Sequence, residues 1–212
     1  MTMNDHEART PRSDTRVRIQ RVALELFAEH GYDGTSLREI AERLDVTKAA
    51  LYYHFKSKED IVASLVEDYF GQLDELIAWA GSQPRTPATH AAVLSRYVRI
   101  VADGSDVFRM LHHNQAAVNT LASAKQRRDV FRERMAGLVD ALSGPGADMH
   151  ERLRATMVLG AVSIGWMFFA ENTDDRDKLM AAVLDCAAEF AHADLADLAD
   201  LADPEAQPGR TG

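Results

Sequence analysis

The stretch "SLREIAERLDVTKAALYYHF", residues 36–55, holds two short helical patterns separated by almost nothing. In the first, Leu37, Ile40, Ala41 and Leu44 stand at i, i+3, i+4 and i+7, which is one apolar stripe of a helix. Ser36 and Glu39 have the spacing of a capping box, hydroxyl to the first turn and carboxylate back to the cap. Asp45 and Val46 then break the chain. Thr47 is placed to cap a second helix, with Val46 and Leu51 at the spacing of a hydrophobic staple. Two capped amphipathic helices joined by so short a turn make a helix-turn-helix, although many helical hairpins without a nucleic-acid role share the pattern.

At about 100° per residue, Leu51 and Phe55 point together toward a small core. Ala49, Ala50, Tyr52 and Tyr53 fall on the opposite half. Alanines on an outer face let a helix approach a surface closely, and tyrosines offer hydroxyls and flat rings. A DNA major groove accepts such a helix. Lys48, His54, Lys56 and Lys58 flank the face, where cations hold phosphates without reading sequence. His54 lies near the boundary between the two faces.

Outside this stretch, apolar residues recur three and four apart and no strand alternation is sustained, so the chain reads as all-α. A first helix opens around Val17 and stops at "HGYDGTS", where Gly31 suits a left-handed C-terminal stop. Further breaks are expected at Ser57, "GSQPRTPA", "DGSD", Asn119 to Ser123, "SGPGAD" and "ENTDD", giving about nine helices. The expected organisation is a leader over 1–11, a three-helix helix-turn-helix unit over 12–57, a C-terminal helical bundle over 58–203 and a tail over 204–212. The repeat "ADLADLADLAD", residues 193–203, has a period of three that drifts around a helix axis and reads as a fraying continuation of the last helix.

The 212 residues carry a net charge of −9, which at first sight opposes a phosphate-bearing partner. The distribution matters more than the sum. Residues 8–58 hold ten Lys or Arg against seven Asp or Glu, and residues 59–212 hold fourteen against twenty-four. The two parts therefore suit different partners. The single cysteine, Cys186, excludes an intramolecular disulfide and points to a reducing, cytoplasmic setting. The polar N-terminus lacks the apolar stretch of a secretory signal. The longest apolar run, Ala155 to Ala170, is sixteen residues and short of the roughly 18–20 that span a bilayer, so no membrane partner is expected. Arg9, Arg12, Arg16, Arg18 and Arg21 form the densest basic stretch, a solvated leader or an arm for phosphates.

Residues 21–67, with the run "LYYHFKSKEDI", resemble the DNA-binding domain of the TetR family of bacterial transcriptional regulators. That resemblance implies a homodimer of two-domain, all-helical subunits that occupies a palindromic double-stranded DNA operator until a small-molecule effector binds the larger domain. Carried over by position, Ser36, Arg38, Thr47, Lys48, Ala49, Ala50, Tyr52, Tyr53 and His54 would face DNA, and Lys58 would clamp a phosphate. Asp45 departs from the family's usual glycine, yet Asp tolerates a left-handed backbone better than most residues.

The larger part carries no motif of comparable strength. The segment "TMVLGAVSIGWMFFA" is apolar nearly all round and must be covered on most sides. Gly160, Ala161 and Gly165, with Val183, Ala187, Phe190 and Ala191 of the last helix, are by family resemblance the dimer interface. For an effector, the large or polar-tipped residues on otherwise apolar helices are Trp79, Phe108, Met110, His113, Phe131, Met135, Met157, Trp166, Met167 and Phe169. Adjacent His112 and His113 point about 100° apart and lack a third ligand, so neither a metal nor another cofactor is expected. No Gly-rich phosphate loop, nucleophile elbow or metal-ligand array marks an enzyme. A transcriptional activator, or a helical ligand-binding module without DNA binding, remains the alternative.

Overall fold

The computed structural model describes residues 11–113, 124–170, 173 and 175–192, with side chains for all of these but 11–13, 108, 111–113, 124–128 and 190–192. Among the described residues there are eight helices and no strand: α1 (Pro11–His30), α2 (Leu37–Arg43), α3 (Lys48–His54), α4 (Lys58–Ser82), α5 (Pro87–His113), α6 (Ala124–Ser143), α7 (Met149–Phe169) and α8 (Arg176–His192). Helix α1 begins at Pro11, ahead of the start expected near Val17, because proline at a first helical position costs no hydrogen bond and has the helical φ already set. Positions 1–10, the expected break at Asn119 to Ser123, the 193–203 repeat and the 204–212 tail lie outside the described residues.

Two apolar cores organise the chain. The smaller joins Ile19, Ala23, Leu26 and Phe27 of α1 to Ile40, Leu51 and Phe55, and takes Ile61 and Val62 from the first turns of α4. The larger joins Leu73 and Leu76 of α4, Val93 and Tyr97 of α5, Leu138 of α6, and Val158, Val162 and Trp166 of α7. Gln20, buried between α1 and α4, donates to Ser64 Oγ at 2.9 Å and to Asp68 Oδ2 at 2.6 Å, so its amide is not left unmet.

The break expected at "DGSD" does not occur, and α5 runs unbroken through Gly104. A mid-helix glycine costs only about 1 kcal/mol against alanine. Here Val101, Ala102, Val107 and Met110 bury the face on which Gly104 lies. The residues that would compete with the helix are occupied: Ser105 Oγ donates to Ala102 O at 2.8 Å, and Asp106 pairs with Arg109 one turn on.

Candidate nucleic-acid interface

The turn between α2 and α3 is a Schellman closure. Val46 N donates to Ala41 O at 3.0 Å and Asp45 N to Glu42 O at 3.2 Å, which requires a left-handed residue at 45. Asp45 supplies it with φ 54°. Thr47 Oγ1 then accepts from Ala50 N at 3.1 Å and starts α3. The capping box expected for α2 is only half formed. Ser36 Oγ accepts from Glu39 N at 3.2 Å, but the Glu39 carboxylate sits 2.6 Å from His30 Nδ1 and so ties α2 to the end of α1.

Leu51 and Phe55 are buried, and the Arg16 guanidinium covers the Phe55 ring at 5.0 Å. Thr47, Lys48, Ala49, Ala50 and Tyr53 are exposed, Tyr53 to 60%. That leaves the methyl groups of Ala49 and Ala50 beside the exposed Tyr53 ring and the Lys48 chain. Tyr52 departs from its expected outward position: its ring is half-buried against the smaller core, with the Lys48 ammonium 5.5 Å from its centroid. The reason is angular, since residue 52 sits only about 60° around the helix from Phe55, whereas Ala50 sits about 140° away. His54 is half-buried and meets Tyr53 edge-on at 5.3 Å.

The flanking cations are already engaged. Arg38 Nε donates to Glu42 at 2.7 Å, an exposed pair one turn apart. Lys56 Nζ donates to Tyr52 O at 2.7 Å. Lys58, expected to reach outward, turns back onto Tyr32: Nζ donates to the main-chain carbonyl and lies 4.4 Å from the ring centroid. The Tyr32 hydroxyl donates to Glu59 at 2.7 Å, and this bond holds the Glu59 carboxyl below its ordinary range. Burial, followed by the same carboxylate, raises the Tyr32 phenol well above its own. Thr35 is buried with Oγ1 2.8 Å from Gly31 O and 3.1 Å from Leu26 O, and it closes the end of α1. Sequence spacing pointed to neither Tyr32 nor Thr35.

Residues 19–65 match the family model described as bacterial regulatory proteins, tetR family. The solved structure of the TetR family transcriptional regulator PfmR from Thermus thermophilus superposes with TM-score 0.64 at 22% identity, covering 83% of this chain and 98% of that one. Residues 19–65 are a TetR-family domain. A transcriptional regulator of the TetR/AcrR family from Thermobifida fusca matches at 26% identity and TM-score 0.55, over 85% of this chain and 98% of that one. The biofilm operon icaADBC negative transcriptional regulator IcaR of Staphylococcus aureus strain Newman is 47% identical over 55 residues, 26% of this chain and 30% of IcaR. The chain thus spans under a third of the length of the curated relatives it matches. The TetR likeness in sequence is concentrated in residues 19–65, whereas the likeness in fold runs through both cores.

Among the described residues, the expected effector residues divide between the larger core, the smaller core and the surface. Trp79, Met135 and Trp166 belong to or pack against the larger core. The Arg96 guanidinium lies 3.7 Å over the Trp79 ring, and Tyr97 O–H reaches Met135 Sδ at 3.7 Å and Ser163 Oγ at 2.7 Å. Met110 belongs instead to the smaller core and lines a cleft of about 730 Å³ between α1 and α5, because the uninterrupted helix carries it onto α1. Phe131, Met157, Met167 and Phe169 are exposed. The side chains of Phe108 and His113 lie outside the described residues.

Of the expected interface residues, Gly160 and Ala161 face open space. Gly165, Val183 and Ala187 are used within the subunit: a Cβ on Gly165 would meet Val183 at 3.8 Å, and Ala187 is buried in the larger core. These residues lie where α8 packs on α7. Phe190 lies outside the described side chains. What α7 leaves uncovered is an apolar line of Leu153, Met157, Ile164 and Phe168, flanking Gly160 and Ala161. Among the described residues no three His, Cys, Asp or Glu side chains form a metal cluster, and no helix is long and apolar enough to cross a membrane.

Proposed function

We propose that this chain is a sequence-specific DNA-binding repressor. One observation carries the reading: a helix capped at Thr47 and anchored by Leu51 and Phe55 leaves Thr47, Lys48, Ala49, Ala50 and Tyr53 exposed on one side. In this reading the reading unit spans residues 12–57 and is closed by the first turns of α4. Ser36, Arg38 and the exposed residues of α3 meet the groove. Tyr52 and His54 contribute from the edge, and Lys58 leaves the Tyr32 carbonyl for a phosphate. The name of IcaR as a negative regulator supports repression over activation.

The exposed line on α7 supports a homodimer, since apolar residues in one contiguous strip mark a surface that water does not keep. A two-fold dimer would set its recognition helices into successive major-groove turns, about 34 Å apart or a multiple, on a near-palindromic operator. A small-molecule effector held in the larger unit would release it only by binding the non-reading conformation more tightly. The test is fluorescence anisotropy of purified protein against duplexes from its own gene neighbourhood and random duplexes, at physiological salt. Preference for one palindromic site is the expected result, and equal affinity for all duplexes sinks the reading.

A further inference from the structure

A cleft of about 390 Å³ lies where α5 begins, α6 ends and α7 begins, within the size range of small-ligand sites. Leu94, Ala155 and Val158, all buried, give it an apolar wall. His90, His150 and Arg154 line the same space. Two nitrogens here, Nε2 of His90 and Nε of Arg154, are shut off from water and meet no hydrogen-bond partner. Of the four such side-chain atoms among the described residues, only these two share a cleft. The neighbouring Arg152 is matched by Asp140. Arg154 is in no ion pair among the described residues. Glu151 is the one acid lining the cleft, and its carboxylate accepts from Asp148 N at 2.9 Å as part of the cap of α7.

A desolvated donor without an acceptor is costly, and a guanidinium more so than a neutral group. We propose that this cleft binds a small organic anion, its apolar tail on Leu94, Ala155 and Val158 and its carboxylate or phosphate head accepting from Arg154 and His90. A guanidinium offers such a head parallel N–H donors, and His90 adds one in its Nε2–H tautomer. This names a chemical class for the effector and rests on the repressor reading only for its consequence at DNA. The binding is measured without DNA, so the two readings fail separately.

Isothermal titration of the full chain with octanoate, octyl phosphate, octanol and inorganic phosphate is the experiment. One of the two alkyl anions binds at least tenfold more tightly than octanol, and which one wins separates carboxylate from phosphate. Inorganic phosphate, lacking the tail, binds more weakly than octyl phosphate. Arg154→Gln weakens the anion at least tenfold. Equal affinity for octanol, an unchanged Arg154→Gln, or no binding by either anion at millimolar concentration overturns the site. Two readouts avoid dependence on that variant. In the wild type the His90 imidazole resonances shift as the preferred anion is added, and unmoved resonances at saturation overturn it. Arg154→Met, which removes the unmet donor, keeps or raises the melting midpoint of the free protein; a lowered midpoint overturns the view that Arg154 waits for a ligand.

Discussion

The Lys58 ammonium closes on Tyr32 twice, by hydrogen bond to its carbonyl and by stacking 4.4 Å from its ring centroid. The first residue of α4 is therefore pinned to the loop that follows α1. Lys58→Ala is expected to lower stability by about 1 kcal/mol in urea unfolding, from a charge-assisted bond and a partly exposed cation–π contact. If Lys58 also reaches phosphate in the complex, the variant flattens the salt dependence of DNA binding by about one ion. A lowered stability with an unchanged salt slope would leave Lys58 as a brace alone.

Asp45 holds φ 54° at the position where a Schellman closure favours glycine. Asp45→Gly is expected to relieve that strain, offset in part by the greater freedom of glycine when unfolded, for a net gain of about 0.5–1 kcal/mol. Asp45→Val, β-branched at positive φ, moves the other way by more. Thermal or denaturant midpoints of the two variants on opposite sides of the wild type are the check.

The hydrogen bond from the Tyr32 hydroxyl, more than any nearby charge, holds the Glu59 carboxyl below its reference value of 4.5. A depressed carboxyl stabilises the fold at pH above its unfolded titration, and the contribution is lost as pH falls through the folded value. Because Glu59 is substantially solvated, the effect is less than about 1 kcal/mol. The stability difference between wild type and Glu59→Gln is thus expected at pH 7, to shrink as pH falls below 4.5 and to be lost once pH passes below the folded value. A difference that grows toward acid would show the sign to be wrong.

Ile164 stands in the middle of the uncovered line on α7, between Met157 and Phe168. Ile164→Glu would place a carboxylate against apolar side chains in the proposed dimer, at a cost of several kcal/mol. Sedimentation velocity should then show dissociation shifted at least a hundredfold toward monomer, with helical content kept. An unaffected dimer would move the interface elsewhere.

The helix-turn-helix was legible because its signals are local: a cap at Thr47, a stripe at Leu37, Ile40 and Ala41, and a turn residue able to take positive φ. Glu39 misled because a capping box is a spacing, and spacing says nothing of His30, brought within 2.6 Å by the turn at Gly31. Gly104 misled because propensity is small against burial on both sides of it. The placement of Met110, and the seating of Gly165 against Val183, depend on which helices pack together, and an all-round apolar segment carries no preferred direction. His90 and Arg154 lie in different helices 64 positions apart, and only packing brings them to one cleft.

Two helices, α4 and α5, each bury residues in both cores: Ile61 and Leu73 on one, Met110 and Tyr97 on the other. At 1.5 Å per residue they are struts of roughly 37 and 40 Å. A joint with one strut permits rotation in any direction, whereas two crossing the same gap permit only a shared lean. The small end of the molecule can therefore tilt as α4 and α5 lean together, but it cannot spin without unseating Met110 or Ile61.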